Sequence, residues 1–142
     1  MNLRHALLPP AMLAAATASA APAATRGFDV QDMVRLDRVS SPVLTPDGGT
    51  LVFAKRVMNA DASKASTGLW VRNLRTRDLR PPQRLTPEGW NVNSPSISPD
   101  GKTVYFLSAK NGSQQLYALP LSGGEPRQLT AFALDVDSYK LS

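Results

Sequence analysis

Short apolar runs punctuated by turn residues set the pattern of this chain. Leu51-Val52-Phe53-Ala54, Leu69-Trp70-Val71, Val104-Tyr105-Phe106-Leu107 and Leu116-Tyr117-Ala118-Leu119 are each too short for a helix and lie between Pro, Asp, Asn and Gly clusters, so they predict strands. One phrase occurs twice. Ser41-Pro42-Val43-Leu44-Thr45-Pro46-Asp47-Gly48 returns as Ser94-Pro95-Ser96-Ile97-Ser98-Pro99-Asp100-Gly101, each copy leading into an apolar strand. Proline presets φ at the second turn position, Asp bonds its own backbone and Gly takes the positive φ that follows, so Pro46, Asp47, Gly48 and Pro99, Asp100, Gly101 read as repeat turns with a structural role.

The downstream signals repeat as well. Asp100 follows Asp47 by 53 residues, Tyr117 follows Trp70 by 47, and Thr130 of Gln128-Leu129-Thr130 follows Thr86 of Arg84-Leu85-Thr86 by 44. The offset shrinks because the first copy has longer loops. Four short strands in a period of this length are the sign of a β-propeller blade. The fold expected is therefore all-β, a partial β-propeller of two four-stranded antiparallel blades and the start of a third, preceded by a signal peptide and a short α-helix.

The segments follow in order. Arg4 and His5 precede an apolar run that Pro9-Pro10 interrupts, and Ala18-Ser19-Ala20 has the small-x-small form of a processing site. Residues 1–20 read as a Sec-type signal peptide cut between Ala20 and Ala21, with a cut after Ala23 as the second choice and a permanent anchor as the weaker alternative; cleavage directs the product to the periplasm or outside the cell and leaves no membrane attachment. Residues 21–27 are a spacer. Residues 28–39 hold a short helix and lead-in, with Asp29 at the N-cap, Asp32 at N3, and Phe28 and Met33 placed as a hydrophobic staple. Met33 and Leu36 are expected to pack this helix on the first blade. Blade one covers 40–92, with a polar insertion over 58–68; blade two covers 93–133; residues 134–142 read as the truncated start of a third. The flank lacking a following blade is expected to leave Ile97, Val104, Phe106 and Leu116 partly uncovered.

Composition narrows the chemistry. With 142 residues, 42% hydrophobic and 19% charged, the chain has the balance of one globular domain rather than of a disordered or membrane protein. The net charge of +5 is spread along the chain, which argues against nucleic acid as a partner; its one cluster is Arg72, Arg75, Arg77, Arg80 and Arg84, read first as a solvated loop face and second as an anionic-ligand patch. There is no cysteine, and the single histidine is His5, inside the signal segment. No Gly-x-Ser-x-Gly elbow, metal-ligand spacing or phosphate loop occurs, so no catalytic, cofactor-binding or metal-binding residue is assigned and no cofactor is expected. Trp70, Tyr105 and Tyr117 read as packing between blades.

Leu116-Tyr117, Gly123-Gly124-Glu125-Pro126-Arg127-Gln128-Leu129-Thr130 and Ser98-Pro99-Asp100-Gly101 together resemble the TolB-type propeller repeat. Residues 28–48, a short helix leading straight into Ser-Pro-Val-Leu-Thr-Pro-Asp-Gly, are similar to the opening of secreted serine peptidases of the prolyl oligopeptidase family, the acylaminoacyl-peptidase and dipeptidyl-peptidase-like members. The first copy lacks the Gly-Gly-x-Pro signature over 75–83. What the resemblance implies is a non-catalytic, substrate-gating propeller that admits short peptides to a carboxy-terminal α/β-hydrolase domain, its partner, which carries the triad and is absent from this chain. A TolB-like periplasmic protein-interaction module is the second reading, and another propeller enzyme with its site at the central channel the third.

Overall fold

The computed structural model describes residues 27–58, 63–75 and 80–142. The signal segment and its Ala20/Ala21 junction lie outside the described residues, as does Arg77. Helix α1 (Val30–Arg35) opens on the N-cap Asp29, whose carboxylate accepts the Asp32 N–H at 3.0 Å while the Asp32 carboxylate accepts the Asp29 N–H at 3.1 Å. This reciprocal capping box satisfies two amide donors that a helix start leaves without partners.

Eight strands follow: β1 (Arg38–Leu44), β2 (Thr50–Met58), β3 (Ala65–Asn73), β4 (Gln83–Arg84), β5 (Val92–Ile97), β6 (Thr103–Ser108), β7 (Gln115–Pro120) and β8 (Arg127–Gln128). They pair antiparallel in two sheets, ordered β1-β2-β3-β4 and β5-β6-β7-β8. The two four-stranded meanders are the two blades that the repeat predicts. β1 starts two residues before the expected edge of blade one.

Pleating decides which side chains meet between the sheets, because residues two apart share a face. On the first sheet Val52 opposes Val71 and Ala54 opposes Leu69; on the second, Val104 opposes Leu119 and Phe106 opposes Tyr117. These two faces meet in one core, joined by Val92 and flanked by Val43, Leu85, Trp90 and Ile97. Trp90 stands edge-on to Tyr117 at 5.1 Å and to Phe106 at 6.2 Å, and Phe106 stacks on Tyr117 at 5.9 Å. Edge-to-face and stacked rings of this spacing add to the burial energy of the cluster.

Three expectations need correction. Val104 and Phe106 are fully buried, since the alternation of β6 turns them toward the first sheet; Tyr105 and Leu116 share the opposite face and are half-buried. The helix does not pack its apolar residues down: Met33 is 56% exposed, Leu36 54% and the staple residue Phe28 66%. Six residues give α1 under two turns, too short to lay an apolar stripe across β2. Finally, β2 continues to Met58 and β3 begins at Ala65, so Met58 and Ala65 to Gly68 of the supposed insertion pair within a long hairpin.

Residues 129–142 carry no strand. Backbone N–H of Val136 donates to Gln114 O at 2.8 Å, and the Gln114 N–H donates to the Asp135 carboxylate at 2.6 Å, which fasten the tail to the loop before β7. The first strand of a third blade, expected within 134–142, is therefore not formed.

Candidate functional site

The repeated turns spend their side chains on backbone. Thr45 Oγ1 donates to Asp47 Oδ1 at 2.5 Å, Gly49 N–H donates to the same oxygen at 2.8 Å, and Thr50 N–H donates to Thr45 Oγ1 at 3.0 Å. The second copy repeats this with Ser98 Oγ to Asp100 Oδ1 at 2.5 Å, Lys102 N–H to Asp100 Oδ1 at 3.0 Å and Thr103 N–H to Ser98 Oγ at 3.0 Å. Gly48 and Gly101 hold φ of 66° and 70°. The Thr45 hydroxyl first, then the Gly49 amide and the Arg75 guanidinium, lower the Asp47 pKa; the Ser98 hydroxyl and the Lys102 amide do the same for Asp100. Carboxylates held ionised by their own turn are poor proton carriers at neutral pH. Pro46, Asp47, Gly48, Pro99, Asp100 and Gly101 thus shape two loops, and a methyl group at Gly101 would stand 3.3 Å from Pro46 Cδ, so the loops of adjacent sheets touch.

Strands β1 and β5 are the first of each sheet and lie side by side. Each carries one extra residue opposite its neighbour, between Ser40 and Val43 and between Asn93 and Ser96. Both bulges contain a Ser-Pro pair, with Ser41 at φ 50° and Ser94 at φ 49°. A non-glycine residue in the left-handed region is uncommon, and here two equivalent serines share it. Sequence reading found the Ser-Pro repeat but not this backbone. Beside the bulges runs an open groove of about 650 Å³, walled by Val43, Leu44 and Pro46, by Ile97 and Pro99, and by Tyr139 and Leu141 of the tail. Its fixed point is the Tyr139 hydroxyl, within 2.7 Å of Ser94 O and 2.9 Å of Tyr105 O. Burial pushes the pKa of this hydroxyl up, so it stays a neutral hydrogen-bonding group. Leu44 stands exposed on the groove wall, and Ser96, Ser98 and Lys140 add polar groups, the Ser98 hydroxyl being already committed to Asp100 within its turn.

The remaining candidates separate. Tyr117 is fully buried between the sheets, as expected of interblade packing. Trp70 lies on the opposite face of the first sheet, with Lys55 Nζ 4.6 Å from its ring centroid and Lys55 also 2.6 Å from Asp37. Trp90, which the sequence reading passed over, is central to the aromatic cluster; its position at the end of the first copy hid it. The arginine cluster is split by the fold. Arg75 pairs with Asp47 at 2.7 Å, and Arg84 lies against Gly68, where a methyl group would meet its Nε at 2.9 Å. Arg72 and Arg80 line a separate crevice.

Two blade sheets joined through a shared core define a β-propeller segment. No protein-family model matches the chain. It is 30% identical over 100 residues to the uncharacterized peptidase YuxL of Bacillus subtilis, covering 70% of this chain and 15% of that protein. It is 36% identical over 81 residues to dipeptidyl-peptidase 5 of Porphyromonas gingivalis, covering 57% and 11%. Among solved structures, AtxE2 isopeptidase without ligand superposes with a TM-score of 0.59 at 16% identity, over 75% of this chain and 20% of that one, a likeness of fold. These relatives are peptidases, which agrees with the resemblance of the repeat to the propeller segment of prolyl oligopeptidase-family peptidases. The chain spans less than a sixth of the length of these two curated relatives.

Proposed function

We propose that the chain is part of the substrate-gating propeller of a secreted serine peptidase that hydrolyses short peptides, with catalysis carried by an α/β-hydrolase domain outside these 142 residues. The observation that carries this reading is the match to a peptidase at 30% identity over 100 residues, 70% of the chain. The groove beside β1 and β5 supports it, because an open surface that sets Val43, Leu44, Ile97 and Leu141 beside Ser96, Ser98 and Lys140 offers an extended peptide both apolar and polar contacts. Export to the periplasm or beyond rests on residues 1–20, and among the described residues no helix is long and apolar enough to cross a membrane.

The test is hydrolysis by the complete product of the reading frame. Short peptides should be cleaved while the same sequences inside a folded protein are spared, and removing residues 28–142 should abolish that size selection. Absence of peptide hydrolysis, or equal cleavage of folded proteins by the intact product, overturns the reading. Amino-terminal sequencing of exported material should find Ala21 first, with Ala24 the second cut; an intact Met1 on that material would refute the export step.

A further inference from the structure

The turn between β6 and β7 carries the one Asn-Gly pair of the sequence, Asn111-Gly112. We propose that this pair is a site of spontaneous deamidation, and that the change unfastens β8 from the second sheet. This goes beyond the peptidase reading and does not depend on it. In the reaction the Gly112 backbone nitrogen attacks the side-chain carbonyl carbon of Asn111. A new N–C bond forms as the bond to the amide NH2 breaks, the proton of the attacking nitrogen leaves with that group as ammonia, and a cyclic succinimide remains. Water then adds at either ring carbonyl and opens the ring, which leaves aspartate or isoaspartate at position 111. Water is the only co-reactant, and nothing is oxidised or reduced.

The native turn leaves this path open. Asn111 and Gly112 are both exposed, so water reaches the pair and the ring has room to close. Glycine sets no side chain beside the attacking nitrogen, and nothing stands within 4 Å of the place a methyl group at Gly112 would take. The Gly112 N–H donates to Ala109 O at 3.2 Å, the long end of the hydrogen-bond range, so the turn holds that nitrogen weakly. Asn73, Asn91 and Asn93 are followed instead by Leu74, the buried Val92 and Ser94. What the change does follows from the bond that Asn111 makes. Its Nδ2 donates to Gln128 Oε1 at 2.9 Å, which ties the turn to the last residue of β8. That strand is two residues long and is paired only through Tyr117 with Gln128 and Ala118 with Arg127. Gln128 also accepts from the Tyr117 hydroxyl at 3.2 Å and donates to Thr130 O at 2.7 Å. Deamidation puts a carboxylate where the donor stood, so an anionic oxygen faces the Gln128 carbonyl oxygen, and isoaspartate adds a carbon to the backbone of the turn. Gln128 is pushed away, and its two other bonds are strained with it.

The test is ageing of the intact chain in mildly alkaline buffer, followed by peptide mapping in a mass spectrometer. The peptide that contains Asn111 should gain the mass of O exchanged for NH at least about tenfold faster than the peptides with Asn73, Asn91 and Asn93, and its fragments should show both aspartate and isoaspartate. Asn111→Gln, whose longer side chain disfavours the ring, should show no such gain over the same time. The structural half is read by hydrogen exchange at Leu129, whose N–H donates to Leu116 O at 2.7 Å beside β8. Exchange there should speed up at least about threefold in the aged chain and in fresh Asn111→Asp, while β2 and β3 keep their protection. An Asn111 that stays intact in the folded chain and deamidates only in urea would mean that the turn shields it, which overturns the proposal, as does an equal rate at Asn93. Unchanged exchange at Leu129 in both the aged chain and the Asn111→Asp variant would overturn the link to β8.

Discussion

Protonation of Asp47 or Asp100 withdraws the acceptor on which each turn hydroxyl and amide converge, so these two residues tie loop shape to pH. Both folded-state pKa values are lowered from 3.8, which means the unfolded chain binds more protons in the window below that value. The stabilisation is fully present above about pH 4 and is lost as pH falls through the folded-state values. Melting temperature should therefore be flat from neutrality to about pH 5 and drop below pH 4. Asp100→Asn, which keeps an oxygen acceptor without the charge, should melt lower than the parent at pH 7 and approach it as pH falls through the lowered pKa of Asp100; a constant gap would show that the charge is irrelevant. Gly101 gives a second residue-level expectation. Its φ of 70° and the 3.3 Å approach to Pro46 Cδ put an added methyl in both a disfavoured backbone region and a neighbouring loop. Gly101→Ala should cost about 1–2 kcal/mol by chemical denaturation, and Gly48→Ala, where nothing lies within 4 Å of the methyl, should cost less.

At the scale of the elements, the sheets were legible in the sequence because their information is local: a Pro-Asp-Gly turn fixes one hairpin, and apolar residues on either side fix which strands flank it. The capping box of α1 was legible for the same reason, as Asp29 and Asp32 need only each other's backbone. Facing is not local. Phe106 and Leu116 look alike in a strand pattern, yet one is enclosed by the neighbouring sheet and the other is half-exposed, and only the packing of blade on blade tells them apart. Nor could the sequence show that Tyr139 reaches back 45 residues to Ser94, or that Gln115 would anchor the tail. Gln115 is 2% exposed; its amide donates to Phe132 O at 3.0 Å and Leu134 O at 3.2 Å, and its carbonyl accepts from Thr130 Oγ1 at 2.8 Å and Phe132 N at 3.1 Å. Gln115→Ala should leave several of these groups unpaired at a cost of roughly 1–3 kcal/mol. Hydrogen exchange should then speed up at Phe132 and Val136 while β2 and β3 keep their protection; uniform acceleration would mean that the tail and the sheets unfold together.

For the whole molecule the question is how the chain behaves with one face of each sheet lacking a facing sheet. Edge pairing is largely blocked. The inner strands β1 and β5 carry Ser-Pro bulges that remove a donor and twist the edge, and the outer strands β4 and β8 are two residues long, all devices that discourage strand addition. The faces are less protected. Tyr105 and Leu116 are half-buried on the far side of the second sheet, and Phe132 and Leu134 beyond it are 64% and 80% exposed. Each large apolar side chain left in water forgoes on the order of 1.5–3 kcal/mol of burial, a large share of the roughly 5–15 kcal/mol by which a domain is stable. Residues 21–142 expressed alone should therefore self-associate through these faces and melt broadly. Light scattering after gel filtration should give a mass that rises with concentration, and Leu116→Lys with Phe132→Lys should shift it toward the monomer, whereas Ser40→Lys on the inner edge should not. A monomer with a sharp, concentration-independent melt would mean that the tail already seals the second sheet, and that the blades need no neighbour to be stable.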